Sequence, residues 1–292
     1  MPETVSACPL CGHNQSAFFD RRTFQGQPVL NRICQACGLV FQSPRMSDVE
    51  REAFYSAEYR QLYQGWEGPD AKDLAVQSKR AESLLAFCQA YGLPGAGRYL
   101  DIGCSAGLLL EAFRQAYGCQ VVGVEPGEAY REFAQQSGLE VVASLEALEQ
   151  AGPAHFDLIS LAHVLEHLPD PVHYLANLRE SLLEGDGWLL IEVPNLYAHD
   201  SFEIAHLVSF SAHTLRQTLD LAGFEIVALE AHGRPRSRIL PLYLTALARP
   251  AEATATVQVQ PESRVRLKRW WGMTRRGLLS RMFPRWAWRT FP

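Results

Sequence analysis

Arg98-Tyr-Leu-Asp-Ile-Gly-Cys-Ser-Ala-Gly107, followed after a helical stretch by Gln120-Val-Val-Gly-Val-Glu125, decides how the rest of this chain is read. Residues 99–102 form a largely apolar run suited to a strand buried on both faces of a parallel sheet. Gly103 lets the backbone turn sharply and approach a ligand. Gly107 stands where the next helix must pass close to the strand end, and the free N–H groups of that helix attract an anionic group. Asp101 is placed to accept from an ammonium or an ordered water. Glu125 ends the second strand and offers two oxygens to two ribose hydroxyls. Strand, glycine turn, helix, strand and carboxylate together make the plan of a nucleoside-cofactor site. A packing-only role for the two glycines is the rival reading, and the strand context with an acid at the right distance favours the cofactor.

The glycine spacing selects the cofactor. Gly103 and Gly107 are four apart, whereas the dinucleotide fingerprint G-x-G-x-x-G needs glycine at Ser105, and no P-loop pattern occurs. D-x-G-x-x-x-G with Glu125 resembles the class I S-adenosylmethionine (SAM) methyltransferases. That resemblance implies SAM as cofactor, its amino-acid end at the turn carrying Asp101, Gly103, Ser105 and Gly107 and its ribose on Glu125. Further strands are expected at residues 139–143, 156–161, 187–193, 224–229 and 240–248, with helices between most of them. This alternation predicts an α/β, doubly wound sheet. The last two strands lack a helix between them, which suits an antiparallel hairpin at one edge. That ending again resembles the mostly parallel seven-stranded sheet of class I methyltransferases, a Rossmann-like fold.

The length of 292 residues and 47% hydrophobic content suit one large domain with appendages. Residues 1–15 are polar, and no uncharged run approaches a membrane span, so the expected location is cytoplasmic. Of seven cysteines, Cys8, Cys11, Cys34 and Cys37 form C-x2-C-x22-C-x2-C, the array of a zinc ribbon or knuckle. Disulfides are the rival reading, disfavoured by a reducing cytoplasm. Four thiolates close the coordination shell, so the zinc is read as structural. Cys104 lies in the cofactor turn, where a small residue fits.

The expected organisation is a zinc-binding module at residues 1–46, a helical linker or lid at 47–93, a methyltransferase domain at 94–250 and a basic, Trp/Arg-rich tail at 251–292. In the linker, Phe54, Leu84, Leu85 and Phe87 read as core. Tyr55, Tyr59 and Tyr63 share one helical face, near Trp66, and are candidates for substrate contact.

After the fourth strand comes Ala162-His-Val-Leu-Glu-His167-Leu-Pro-Asp-Pro171. H-x-x-E-H is also the inverted zinc-peptidase motif, but a peptidase needs both histidines on one face of a continuous helix, and Pro169 and Pro171 interrupt this segment. The same residues resemble the post-strand segment of small-molecule and sugar methyltransferases, which implies His163 beside the cofactor. Glu166 and His167 are then supports or acid/base groups. The fifth strand runs into a loop carrying His199, Asp200, Glu203 and His206, and ligands in open α/β sheets sit outside the carboxyl ends of strands. Glu203-Ile-Ala-His206 with Phe210-Ser211 resembles the corresponding loop of nucleotide-sugar C-methyltransferases, which also carry an N-terminal four-cysteine module. The resemblance implies a small-molecule acceptor, a sugar or nucleotide-linked sugar, methylated on carbon or oxygen. His206, assisted by Glu203, and His167 are the candidate catalytic bases. A larger C-terminal domain is common in those enzymes, and this chain has a short tail instead.

Arg234, Arg236 and Arg238 form a basic loop suited to a phosphate or to solvent. Residues 261–292 hold nine Lys/Arg and one acidic residue, a balance of +8, so the remainder of a chain totalling −5 carries −13. Trp270, Trp271, Trp286 and Trp288 interleave with those cations, as in a segment that meets an anionic membrane surface, the inner face of a membrane, or a protein partner. The acidic body would repel a polynucleotide. An RNA base methyltransferase, a scaffold without chemistry and a tail without a partner stay open as alternatives.

Overall fold

A computed structural model describes residues 2–54, 68–150, 152, 155–252 and 257–291. Tyr55, Tyr59, Tyr63 and Trp66 lie outside the described residues. The N-terminal strands are β1 (Ser16–Phe24), β2 (Gln27–Cys34) and β3 (Val40–Gln42), followed by helices α1 (Asp48–Ala53) and α2 (Ala71–Ala90). Alternation then sets in: β4 (Arg98–Ile102), α3 (Leu108–Tyr117), β5 (Gln120–Val124), α4 (Glu128–Gln136), β6 (Glu140–Val142), α5 (Leu145–Gln150), β7 (Phe156–Ala162), α6 (Pro171–Ser181) and β8 (Leu183–Pro194). The remaining elements are β9 (Val208–Ser209), α7 (Ala212–Leu221), β10 (Phe224–His232), β11 (Tyr243–Pro250), α8 (Val265–Met282) and α9 (Pro284–Ala287).

The seven-stranded sheet has the order β10-β11-β8-β7-β4-β5-β6, with β11 alone antiparallel to its neighbours. The doubly wound, mostly parallel sheet expected from the sequence is therefore the observed fold. The order reverses between β4 and β7, which opens a crevice at their carboxyl ends. Side chains alternate across these strands, so one sheet forms two apolar layers. Leu100, Ile102, Ile159 and Leu161 pack towards Leu175, Leu178, Leu215 and Leu219 of α6 and α7. Tyr99, Val121 and Leu158 face Leu84 and Phe87 of α2 and Leu110 and Phe113 of α3. Each such fully buried side chain contributes about 1.5–3 kcal/mol by removal from water.

Local sequence sets the helix ends. Asp70 caps α2 by accepting from the Asp73 N–H at 2.6 Å, and Pro171 opens α6 behind the Asp170 cap. Gly118, in the left-handed conformation, ends α3.

Residues 1–46 do not stand apart. β1, β2, β3 and β9 make a four-stranded antiparallel sheet, in which Phe41 of β3 sits opposite Val208 from the loop after β8. Cys8, Cys34, Cys37, Leu39 and Phe41 join the same apolar core as the large sheet. The tail also folds onto the body. Arg269 donates to the carbonyls of Leu196 and His199, Arg276 donates to Ala198 O at 3.2 Å, and Glu262 accepts from Ser211 Oγ and Tyr197 OH, each at 2.6 Å. Arg266 likewise donates to the carbonyls of Phe18 and Phe19, so at least three of the tail's nine cations are committed inward, while Leu267, Trp270, Trp271, Leu278 and Trp286 remain exposed. Among the described residues, no helix is long and apolar enough to cross a membrane.

Candidate active site

The cofactor turn is built as its residue types require. Gly103 and Gly107 have φ of +75° and +78°, and an added Cβ would stand 2.5 Å from Val164 Cγ2 at the first and 2.3 Å from Leu139 Cδ1 at the second. Ser105 also has positive φ, +52°, and its N–H donates to Glu125 Oε2 at 2.9 Å. Glu125 Oε1 accepts from the Gly127 N–H at 2.8 Å, so the acid at the end of β5 is oriented by the turn before any ligand arrives. Helix α2 covers the turn: Gln77 accepts from the Ala106 N–H at 3.3 Å, and Asp73 accepts from Tyr130 OH.

Asp101 is buried opposite Ser160 of β7. Ser160 Oγ donates to Asp101 at 2.5 Å and lies 2.7 Å from Tyr99 OH, so Tyr99, Ser160 and Asp101 form one chain of hydrogen bonds. Burial pushes Asp101 up to about 7, against the Ser160 hydrogen bond and with the help of the Glu125 charge.

The segment after β7 divides its two histidines. A 3-10 turn over residues 165–167 replaces the continuous helix that the inverted peptidase motif needs. His163, at φ +59°, turns towards β8, with Nε2 3.2 Å from Glu192 Oε1 and Nδ1 3.2 Å from Glu166 Oε1. Burial and Arg80 press its pKa down, but the two carboxylates outweigh them and raise it. Glu192 also pairs with Arg80 at 2.8 Å, lies 3.4 Å from His232 and accepts from Thr245 Oγ1 at 3.2 Å. These contacts overcome the cost of burying the carboxylate and hold it well below the usual range. Tyr243 closes the group, its ring 5.2 Å from that of His163 and 5.6 Å from that of His199.

His167 points the other way. Its ring centroid lies 4.9 Å from that of His206, which arrives from the loop after β8. His167 Nδ1 contacts Ala205 O at 2.9 Å and His206 Nδ1 contacts Ser201 O at 2.7 Å. A carbonyl can only accept, so both Nδ1 atoms carry the hydrogen and both Nε2 atoms present lone pairs. Burial pushes His206 down to about 4, and burial also lowers His167. Glu203 Oε2 is 3.9 Å from His206 Nε2. The structure therefore gathers His167, Glu203 and His206 beside Glu166, and sets His163 between Glu166 and Glu192.

Arg80, Glu192, His232 and Tyr243 were not expected from the sequence. Glu192 carried a signal, since it is the one charged residue in the apolar run 188–193, and a carboxylate there needs partners. Arg80 carried none, because its partner is 112 positions away. Of the basic loop, Arg234 and Arg238 line a cavity of about 390 Å³ together with His232 and Arg289, and Arg236 does not.

The four thiols of the N-terminal array also converge. Cys8 Sγ lies 3.6 Å from Cys37 Sγ, Cys11 Sγ lies 3.6 Å from Cys34 Sγ, and all four sulfurs are within 4.8 Å of one another. The N–H groups of Gly12 and Gly38 donate to Cys8 O and Cys34 O, giving two matching turns.

Residues 73–229 match the family model described as a methyltransferase domain. The chain belongs to this methyltransferase domain family. It is 28% identical over 235 residues to a ubiquinone biosynthesis O-methyltransferase of Methylococcus capsulatus, covering 70% of this chain and 96% of that protein. The Leptothrix cholodnii protein of the same name is 27% identical over 147 residues, and the match covers 48% of this chain and 62% of that relative. The fold is also that of the Burkholderia thailandensis 1,6-didemethyltoxoflavin-N1-methyltransferase, at a TM-score of 0.55 and 23% identity over 80% of this chain and all (100%) of that one. The plantazolicin methyltransferase BpumL, solved with SAH, gives a TM-score of 0.53 at 13% identity, covering 69% of this chain and 94% of that one. SAM is the cofactor of the methyltransferase domain.

An Asp101 carboxylate placed to meet the SAM ammonium, as expected from the sequence, predicts a pH-dependent affinity. The folded pKa is raised, so the carboxylate form is lost as pH falls through about 7. Calorimetry should find SAM binding about tenfold weaker near pH 6 than near pH 8. Asp101→Asn should bind weakly and lose the slope; a slope that survives the substitution rejects the assignment.

Proposed function

We propose that this methyltransferase transfers the methyl group of SAM to a hydroxyl oxygen of a small-molecule acceptor. The observation that carries this reading is the meeting of Glu166, His167 and His206 beside the cofactor turn, with both imidazole Nε2 atoms free of hydrogen. In the reaction the acceptor O–H gives its proton to this group, the oxygen forms a bond to the methyl carbon, and the methyl–sulfur bond breaks with its electrons returning to sulfur. His206 is the proton acceptor, with Glu203 and His167 beside it. Asp101, Gly103, Ser105, Gly107 and Glu125 hold the cofactor, and His163, fixed by two carboxylates, forms the wall between cofactor and acceptor. Oxygen as the target is supported by relatives named as ubiquinone biosynthesis O-methyltransferases. Those names give no support to the sugar expected from the sequence, so sugar C-methylation stands as the second reading, resting on the Glu203–His206 loop alone.

Labelled-methyl transfer separates the acceptors. Hydroxylated aromatics should be labelled, and nucleotide keto-sugars and RNA should not; label confined to sugar carbon or to RNA contradicts the reading. His206→Ala should lower kcat about 100-fold or more with SAM affinity unchanged.

The four-thiol group takes structural zinc. Tetrahedral Zn–S bonds of about 2.3 Å place sulfurs about 3.8 Å apart, close to the spacing found. Elemental analysis should give one zinc at this group, and Cys8→Ser should lower both zinc content and thermal stability. Full zinc content in Cys8→Ser argues against it.

The outward apolar face of α8 meets an anionic membrane surface, with Leu267, Trp270 and Trp271 exposed among the tail's cations. Sedimentation with anionic but not neutral vesicles is expected, weakened by Trp270→Ser with Trp271→Ser; no sedimentation with either overturns it.

A further inference from the structure

Glu166 is 1% exposed, yet its Oε2 has no hydrogen-bond partner. A buried bare carboxylate oxygen is costly, and it needs a hydrogen-bond donor or a cation. His167 and His206 direct their Nδ1–H groups to the backbone carbonyls of Ala205 and Ser201. One ligand atom from each of Glu166, His167 and His206 lies within 4.8 Å of the others.

We infer that Glu166, His167 and His206 form a site for one divalent first-row transition cation, separate from the four-thiol group. The donor set of two neutral imidazoles and one carboxylate fits zinc, iron(II), cobalt or manganese, whereas magnesium and calcium favour oxygen ligands. Outer contacts match those of metal-bound histidines, which donate the other ring N–H to a carbonyl or carboxylate and so keep their tautomer and angle. Both histidines do this. Glu166 has an equivalent support, since His163 Nδ1 stands 3.2 Å from its Oε1. Bonds of about 2.0–2.2 Å require the donor atoms to stand about 3–3.6 Å apart, so side-chain shifts of about 1 Å close the site.

Three protein ligands leave open positions, unlike four thiolates. Glu203 Oε2, 3.9 Å from His206 Nε2, is the nearest further carboxylate named in this group. The site belongs beside the cofactor: Val164, two residues before Glu166, is the side chain that a Cβ at Gly103 would meet at 2.5 Å. An acceptor oxygen in an open position would be ionised more readily there; with the cation bound, His206 Nε2 is a ligand and the acceptor's proton passes to Glu203 instead. That role rests on the O-methylation reading. Cation binding itself does not rest on it.

Manganese(II) is the probe, because its EPR signal falls on binding and it has little affinity for four thiolates. Full-length protein dialysed against citrate should bind one manganese(II) per chain. Glu166→Gln and His206→Gln should each weaken binding about tenfold or more, with SAM affinity held within about twofold. If either variant fails to fold, His167→Gln is the substitute. An undiminished free-ion signal, or equal binding by the variants, overturns the site. Absence of manganese binding alongside methyl transfer to a hydroxylated acceptor overturns the site and leaves the acceptor reading standing. Manganese binding lost in the variants, without transfer to any hydroxylated acceptor, upholds the site and rejects that reading.

Discussion

One residue, Leu207, links the segment after β7, the loop after β8 and the N-terminal sheet. The Leu207 N–H donates to Glu166 O at 2.8 Å, and the Leu207 carbonyl accepts from the Gln42 N–H at 2.8 Å. On one side of Leu207 lies the segment after β7, which carries His163, Glu166 and His167. On the other lies β3, five residues beyond Cys37 at Gln42. His206 precedes Leu207 directly, and Val208 follows it into the strand that completes the four-stranded sheet. Backbone groups buried at such a junction must be paired, so the loop has few ways to sit once β3 is in place. The position of His206 therefore depends on how β3 is placed.

This dependence gives the cysteine array a functional consequence without a chemical role. A small antiparallel sheet is marginal alone, and β1, β2 and β3 are stabilised by their turns and by the shared core. The tail acts on the other end of the same loop. Arg269 and Arg276 bind the carbonyls of Leu196, Ala198 and His199, while Glu262 donates its N–H to Cys37 O and accepts from Tyr197 and Ser211. The loop after β8 is held from the N-terminal sheet and from the tail, whereas the turn at residues 103–107 is held by its own glycines, by Glu125 and by Gln77 of α2.

That division explains what could be read in advance. The cofactor half is local: a turn with positive φ at residues 103 and 107 demands glycine, and a carboxylate at the next strand end is fixed by the period of the fold. The sheet follows from strand and helix alternation for the same reason. The acceptor half is not local. His167 and His206 were visible as candidates, but their separation of 39 positions hid their contact, and the same motif that carries His167 sends His163 to Glu192 instead. Arg80 reaches the site from α2 and Tyr243 from the antiparallel β11, and only the three-dimensional order of strands brings them there. The joining of β3 to β9 was likewise unreadable, because a two-residue strand has no periodicity.

Amide hydrogen exchange tests the central claim directly, by comparing the intact protein with Cys11→Ser. If the module positions the acceptor loop, the substitution should remove protection at residues 203–210 together with β2 and β3, and leave residues 98–125 as protected as before. Unchanged protection at residues 203–210 alongside a loosened module would contradict it.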